Sequence, residues 1–532
     1  MRAPYQCMTK CGDILVAARG SSIDSFRLQD GSLLSTWRCP STQNSQDCKA
    51  SGGAREISTK LVPQTSESSS IEIALDAASP PAKKRKLSQP GEKPGQSEPK
   101  IGKHRPNNRS AAVANILEAP AVIALASTTD GRHVIAVTGE DKSIRVFENV
   151  VRDGVQQLKQ LSQRNMPKRP CKLVITGDNS TIISADKFGD VYALPLLPSE
   201  DRIISESQTP ELASSKPFVP AANEFTIHSQ RNRKALENQK KHGNKAPEKS
   251  EPIFEHKLLL GHVSMLTDVA LVTSSKKNYM ITSDRDEHIR VSRGIPQTHI
   301  IEGFCLGHTE FVSRLCIPQN RPDILISAGG NDEIFVWKWK SGELISKTNI
   351  REHVEVVKMK LDGGEPIDGL SEPLRIAVSG LFHTRAYVDD HLLDLIIVAC
   401  EGVPALFLFT LNIDENKLQD VQIIELPGNP LAVVTEASLP IRGCTEDVIV
   451  SIDTVHQPGW PVKHRSDILG TENALLGFHL RDMGLIRSDL AFDEPGEVDE
   501  NLLRSDDTMV RLNNLLYNLE NLRKRDGEGQ EE

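Results

Sequence analysis

GHVSMLTDVALVTSSKKNYMITSDRDEHIRVS (residues 261–292) and GHTEFVSRLCIPQNRPDILISAGGNDEIFVW (residues 307–337) follow one plan. Each opens on Gly-His, passes through a short apolar run, crosses a polar turn, enters a second apolar run, turns again and closes on a third. Aligned on their last runs, Asp286 lies six residues before Ser292 and Asn331 lies six before Trp337. In HVIAVTGEDKSIRVF (133–147), Asp141 stands six before Phe147. TIISADKFGDVYALPL (181–196) repeats the strand pair across Lys187-Phe188-Gly189. Runs this short, rich in β-branched residues and bounded by Gly, Asp and Asn, read as strands joined by tight turns. No long helical period interrupts them.

The recurring unit is the WD-repeat pattern in degenerate form, which predicts an all-β fold, a WD-repeat β-propeller. No such unit buries its faces alone, so the blades must close into a ring. The physical role of the pattern is structural. The histidine of a Gly-His can bond the turn Asp or Asn, and a hydroxyl and an indole can join that network. His262, His308, Ser327 and Trp337 fill these places, with Asp286 and Asn331 as the turn partners. With the segments that read as unfoldable removed, roughly 360 residues remain. At roughly 40 to 50 residues per blade the expected count is seven blades, with eight the alternative.

Two segments cannot bury enough apolar surface to offset their ordering entropy. Residues 41–110 hold 12 Ser and 7 Pro and no aromatic residue, and residues 200–252 are similar and basic. The expected organisation is a first blade at 1–40, an insertion at 41–110, blades at 111–199, a second insertion at 200–252, and blades at 253–483. An acidic linker and a C-terminal helix follow at 484–532. In SDDTMVRLNNLLYNLENLRKR, Met509, Leu512, Leu516 and Leu519 recur at helical spacing, with Arg523 to Arg525 where a helix dipole favours cations. Such a helix has three readings open: packed on the propeller, docked on a partner, or mobile.

Composition narrows the function. The 532 residues are 38% hydrophobic and 25% charged, with a net charge of −9, which excludes a basic nucleic-acid grip over the whole chain. Nine cysteines include no C-x-x-C and no zinc spacing, so free thiols in a reducing compartment are expected. The N-terminal residues lack the apolar core of a secretory signal, and no run approaches the length of about 20 apolar residues needed to span a bilayer, so no membrane partner is expected. There is no P-loop, no G-x-S-x-G elbow and no G-x-G-x-x-G after a strand, and nothing resembles a glycine-rich loop for S-adenosylmethionine. The chain reads as a binding platform with no cofactor of its own rather than an enzyme. The cluster Lys83-Lys84-Arg85-Lys86, between Pro81 and Pro90, reads as a nuclear-import signal, and its alternative is a solvated charge run. Lys168 and Arg169, with Arg164 and Lys172, form a basic patch that reads either as a phosphate contact or as a soluble surface. Along His288–Arg293 the period of two sets Ile289 and Val291 between blades and Arg290 outward with His288 and Ser292.

Residues 283–315, SDRDEHIRVSRGIPQTHIIEGFCLGHTEFVSRL, resemble one WD-repeat family: the non-catalytic subunit of tRNA (guanine-N7-)-methyltransferase. LLLGHVSMLTDV (258–269) and SAGGNDEIFVWKWKSG (327–342) extend the likeness, and the long low-complexity insertion resembles fungal members. The resemblance implies a scaffold in a heterodimer. The partner is a catalytic subunit that carries S-adenosylmethionine, and the pair methylates N7 of a variable-loop guanine in tRNA presented to the complex. It also implies that Asp286, Glu287, His288 and Arg290 meet the catalytic subunit through ion pairs, for which a guanidinium suits a carboxylate. Nuclear localisation is expected. The alternative is a general WD-repeat adaptor such as a ubiquitin-ligase substrate receptor. Trp337-Lys338-Trp339-Lys340 lacks the Asp and Arg such receptors commonly show.

Overall fold

The computed structural model describes residues 4–40, 119–152, 155–198, 254–361, 374–388, 391–412, 414–435, 448–465, 473–481, 483–496 and 506–524. They build seven four-stranded sheets, each a meander of strands consecutive in sequence and antiparallel to their neighbours. Blade 1 runs from Cys7–Cys11 to Leu33–Arg38, blade 2 from Val122–Ser127 to Val155–Asn165, and blade 3 from Pro170–Ile175 to Lys257–Gly261. Blade 4 runs from Leu266–Ser274 to Ile301–Cys305, blade 5 from Val312–Cys316 to Glu343–Asn349, blade 6 from Val378–Val388 to Leu418–Glu425, and blade 7 from Pro430–Thr435 to Gly484–Arg487. The repeat read in the sequence is therefore one strand out of phase with the blade. Gly261-His262 closes the outer strand of blade 3 and leads into blade 4. The insertion expected between groups of blades falls inside blade 3, between its third strand Asp190–Pro195 and its fourth.

The core lies between blades. Ile289 and Val291 of blade 4 pack with Val312, Leu325, Phe335 and Trp337 of blade 5, and Ile334 and Val336 on the other side of that strand pack against blade 6. Both faces of a blade are thus covered. The ring closes without a strand shared between its ends. Instead Tyr5, Leu15 and Phe26 of blade 1 pack with Ile449 and Leu475 of blade 7, Ser451 Oγ donates to the Tyr5 carbonyl at 2.6 Å, and Phe492 meets Phe26 edge to face at 5.7 Å. The stretch after Gly484, expected as an acidic linker, supplies the outer strand Gly484–Arg487 and this clasp.

On one rim, here the upper face, the turn between the second and third strands of each blade meets the chain entering the inner strand. The contact recurs as a backbone hydrogen bond: Gly139 to Ala121 (2.9 Å), Lys187 to Arg169 (3.2 Å), Arg285 to Met265 (2.9 Å), Glu401 to Ala377 (2.8 Å) and Asp453 to Asn429 (2.8 Å).

Two α-helices stand among the described residues, one unexpected and one expected. Residues near 351–353 were expected in a blade, but helix α1 (Arg351–Leu361) stands there, started by Asn349 Oδ1 accepting the Arg351 N–H at 2.9 Å and held by buried Val354 and Val357. The C-terminal helix is α2 (Asp506–Leu516), shorter than the sequence period suggests. The N–H groups of Asn518 and Leu519 turn to the Glu401 carboxylate at 3.2 and 3.1 Å, and one 3₁₀ turn, Glu520–Leu522, follows. Met509 and Leu512 bury themselves on Val455 of blade 7, so α2 packs on the propeller.

Candidate protein-partner interface

Blade 5 shows how the repeat pattern is spent. Trp337 Nε1 donates to Ser327 Oγ at 2.8 Å, Ser327 lies 2.7 Å from His308 Nε2, and His308 Nδ1 lies 2.8 Å from Asn331 Oδ1. The chain is complete with a neutral imidazole whose Nδ1 carries the proton. Burial, with the Lys347 charge assisting and the Asn331 bond opposing, pushes the His308 pKa down to about 4. All four side chains are buried, and they act as a brace within the blade.

In blade 4 the brace is rearranged. His262 Nε2 lies 2.8 Å from Thr282 Oγ1, but Nδ1 meets Asp284 Oδ2 at 3.1 Å, not Asp286. Asp284 also accepts the N–H groups of Asp286 (2.9 Å) and His288 (3.1 Å) through Oδ1, so it organises the whole turn. Burial alone would raise its pKa. The His262 bond, the His288 N–H and the nearby imidazoles outweigh that and hold the carboxyl below its ordinary range. Glu287 adopts a left-handed φ of 73°, which tightens the turn. With Asp284 doing the structural work, Asp286 and Glu287 point their carboxylates outward, and His288 leaves half of its side chain exposed.

Arg290 is not outward in the sense expected. The face of its strand opposite Ile289 and Val291 is covered by blade 3, and Arg290 lies half-buried in that groove, donating Nη1 to the Gly261 carbonyl and Nε to Ser292 Oγ, both at 3.0 Å. Among the described residues it has no carboxylate partner. The matching position in blade 2 shows the contrast: Arg145 is buried, reaches Asp141 at 2.8 Å and Gln163 at 2.7 Å, and lies over Trp37. Arg290 keeps the guanidinium and lacks the counterion.

The C-terminal chain reaches this turn from across the upper face. Arg285 Nε donates to the Leu522 carbonyl at 2.9 Å, and Lys524 pairs with Glu287 at 2.8 Å and Asp286 at 3.8 Å. Arg523 anchors the crossing through the Gly330 and Ile376 carbonyls and ion pairs with Glu310 and Glu520. A cavity of about 470 Å³ lies beneath, lined by inner-strand residues of the ring and by Leu515 to Leu522 of this chain. The structure therefore brings Asp286, Glu287, His288 and Arg290 to one edge of blade 4, and His308, Ser327 and Trp337 together in blade 5. Lys83, Lys84, Arg85 and Lys86 lie outside the described residues.

Residues 15–478 match the family described as the tRNA methyltransferase TRM82 WD40 domain. The chain belongs to this family. Relatives agree along all or most of the length. A protein of Sclerotinia sclerotiorum named tRNA (guanine-N(7)-)-methyltransferase non-catalytic subunit trm82 is 45% identical over 537 residues, covering 99% of each chain. Namesakes from Coccidioides immitis (40% identical, 88% of this chain and 85% of that one) and Aspergillus oryzae (36%, 99% and 98%) follow. A more distant likeness is to the solved structure of U3-55K, with a TM-score of 0.47 at 11% identity over 89% of this chain and 95% of that one. Against the TRM82 WD40 frame, sequence reasoning missed Asp284, Arg285 and the crossing by Arg523 and Lys524. Asp284 carried a legible signal, since an acid at the end of a second strand also stands at Asp186 of blade 3. Lys524 carried none, because its target lies 237 residues away.

Proposed function

We propose that this chain is the non-catalytic subunit of a heterodimeric tRNA (guanine-N7-)-methyltransferase. It holds a separate catalytic subunit, which binds S-adenosylmethionine, and helps present tRNA for methylation of a variable-loop guanine. The observation that carries this reading is the family match over residues 15–478, joined by relatives that share both the length and the name. The blade 4 turn is the docking site. Asp286 and Glu287 offer half-exposed carboxylates held by Lys524, His288 an exposed imidazole, and Arg290 a half-buried guanidinium without a counterion, which a partner carboxylate can satisfy bidentately. The scaffold contributes no transferred group. The purified chain should form no 7-methylguanosine on tRNA, and adding the catalytic subunit should produce it beyond what that subunit yields alone. Methyl transfer by the chain freed of its partner, or no gain on mixing, overturns the assignment.

The Lys83–Lys86 cluster serves nuclear import in this reading, which the sequence alone supports. Deleting residues 45–105 should leave complex formation intact and reduce nuclear accumulation of a tagged chain. Unchanged accumulation contradicts the role.

A further inference from the structure

The upper face is electrostatically divided. Of the turn residues that contact the inner-strand entries, Lys187 and Arg285 on blades 3 and 4 are cations, and Glu401 and Asp453 on blades 6 and 7 are anions. The C-terminal chain occupies the anionic side. Tyr517 bonds Asp453, the Asn518 and Leu519 N–H groups take Glu401, and the path ends on Arg285 and Glu287 of blade 4. Lys187 of blade 3 is the cation this crossing leaves unengaged.

Beside it stands Arg169. Its Nε is buried without a partner, and neither it nor Lys187 joins an ion pair among the described residues. The guanidinium occupies space made by Gly139 of blade 2, where a Cβ would come within 2.7 Å of Nη2. The neighbouring carboxylates are committed elsewhere. Glu140 accepts the Ala121 N–H at 2.7 Å, Asp190 meets Lys168 and Tyr192, and Asp186 spends Oδ1 on the N–H groups of Phe188 and Asp190. Asp186 Oδ2 is buried without a partner, and burial raises the pKa of that carboxyl, toward its neutral form. Burial and the Arg169 charge likewise lower the Lys187 pKa, so the pair gains from a counter-anion.

The tip of the same turn is Phe188. It is 63% exposed, and Lys168 Nζ stands 4.4 Å from its ring centre. An exposed aromatic ring beside cations, of which Arg169 and Lys187 join no ion pair among the described residues, is the arrangement that single-stranded nucleic acid selects, because bases stack on the ring and phosphates meet the charges. A free anion would need the cations and have no use for the ring.

We propose that the Lys187–Phe188 turn of blade 3 is an RNA contact, with Phe188 stacking on an unpaired base of the tRNA and Arg169 and Lys187 holding the adjoining backbone phosphates. It rests on the tRNA reading above and adds the surface that makes the contact, next to the docking turn of blade 4.

The test is a titration of labelled tRNA onto the full-length chain at several salt concentrations, comparing wild type, Phe188→Ala and the double variant Arg169→Gln/Lys187→Gln. Neither variant removes an internal hydrogen bond, so both should melt as wild type does. Phe188→Ala should weaken binding about 5- to 150-fold, the range for one lost stacked base. The double variant should lower the slope of log Kd against log salt by about 1.4 to 1.8, for two phosphates. Absent binding by wild type, or unchanged affinity and slope in both variants, overturns the proposal. It is also overturned if inorganic phosphate stabilises only wild type while Phe188→Ala binds tRNA normally, which marks a small-anion site. Loss of catalytic-subunit capture by Phe188→Ala with tRNA affinity intact marks a protein contact and overturns it too. Failure of wild type to capture the catalytic subunit would count against the proposed function and leaves this titration unaffected.

Discussion

His308 holds its neutral form with both ring nitrogens engaged and almost no solvent around it. An ordinary histidine titrates near 6.5, and burial, its main cause of shift, sets this one at about 4. Between those values the unfolded chain binds a proton that the folded chain refuses, so stability is fully present above pH 6.5 and falls as the pH drops toward 4. The loss is on the order of 3 kcal/mol. Denaturation midpoints measured from pH 7 to 4.5 should show this slope in wild type and a flatter one in His308→Gln, and parallel profiles would contradict it. Trp337, buried at the end of the same relay, should cost about 3 to 5 kcal/mol when cut to Ala, because it leaves a cavity and strips Ser327 of its donor. Full stability in that variant would place the indole outside the core. Spacing made the blade 5 brace readable, since Gly-His, Ser, Asn and Trp fall in fixed order along one repeat. It misled in blade 4, where counting six residues back selected Asp286. Asp284 won because a carboxylate at the strand end reaches the histidine and two turn N–H groups at once.

Among elements, the strands were legible from alternation and turn residues, and the blade phase was not. Gly-His marks the passage from an outer strand to the next inner one, and hydrogen-bond pairing, not sequence order of motifs, decides which sheet owns each strand. The C-terminal element shows the same limit. Its apolar period continued past Leu516, but Glu401 draws two N–H groups away and ends the helix. What fastens it is a buried polar group: His456 bonds Asp453 and Asn513 at 2.6 Å each, and the Tyr517 hydroxyl donates to Asp453 while accepting from Asn429. An Asp, a His and a Tyr in such contact look catalytic, but every partner here is an anchor of the tail. Tyr517→Phe removes one donor from the Asp453 carboxylate and leaves the Asn429 Nδ2 donor without its acceptor, at roughly 1 to 3 kcal/mol. Hydrogen exchange across 506–522 should accelerate in that variant while the blade 5 amides hold, and unchanged exchange would mean that packing of Met509 and Leu512 alone retains the chain.

At the scale of the whole ring, a blade has no free sheet face, so strand alternation alone cannot point a side chain to solvent. Arg290 illustrates this. Alternation placed it opposite Ile289 and Val291, and the ring places that side against blade 3. Its proposed access to a partner is the groove's opening at the upper rim, beside half-exposed Asp286 and Glu287 and exposed His288. The proposal that this edge of blade 4 holds the catalytic subunit turns on Arg290. The most direct measurement is the affinity of the catalytic subunit for wild type and for Arg290→Glu, with a melting curve on each. The glutamate gives up two hydrogen bonds within the groove, so a modest fall in melting temperature is expected, and it sets carboxylate against carboxylate at the proposed docking site. The predicted result is a folded propeller whose affinity drops roughly 30-fold to several-thousand-fold, the range for a buried charge left unpaired. A folded variant that captures the catalytic subunit as wild type does would contradict the claim.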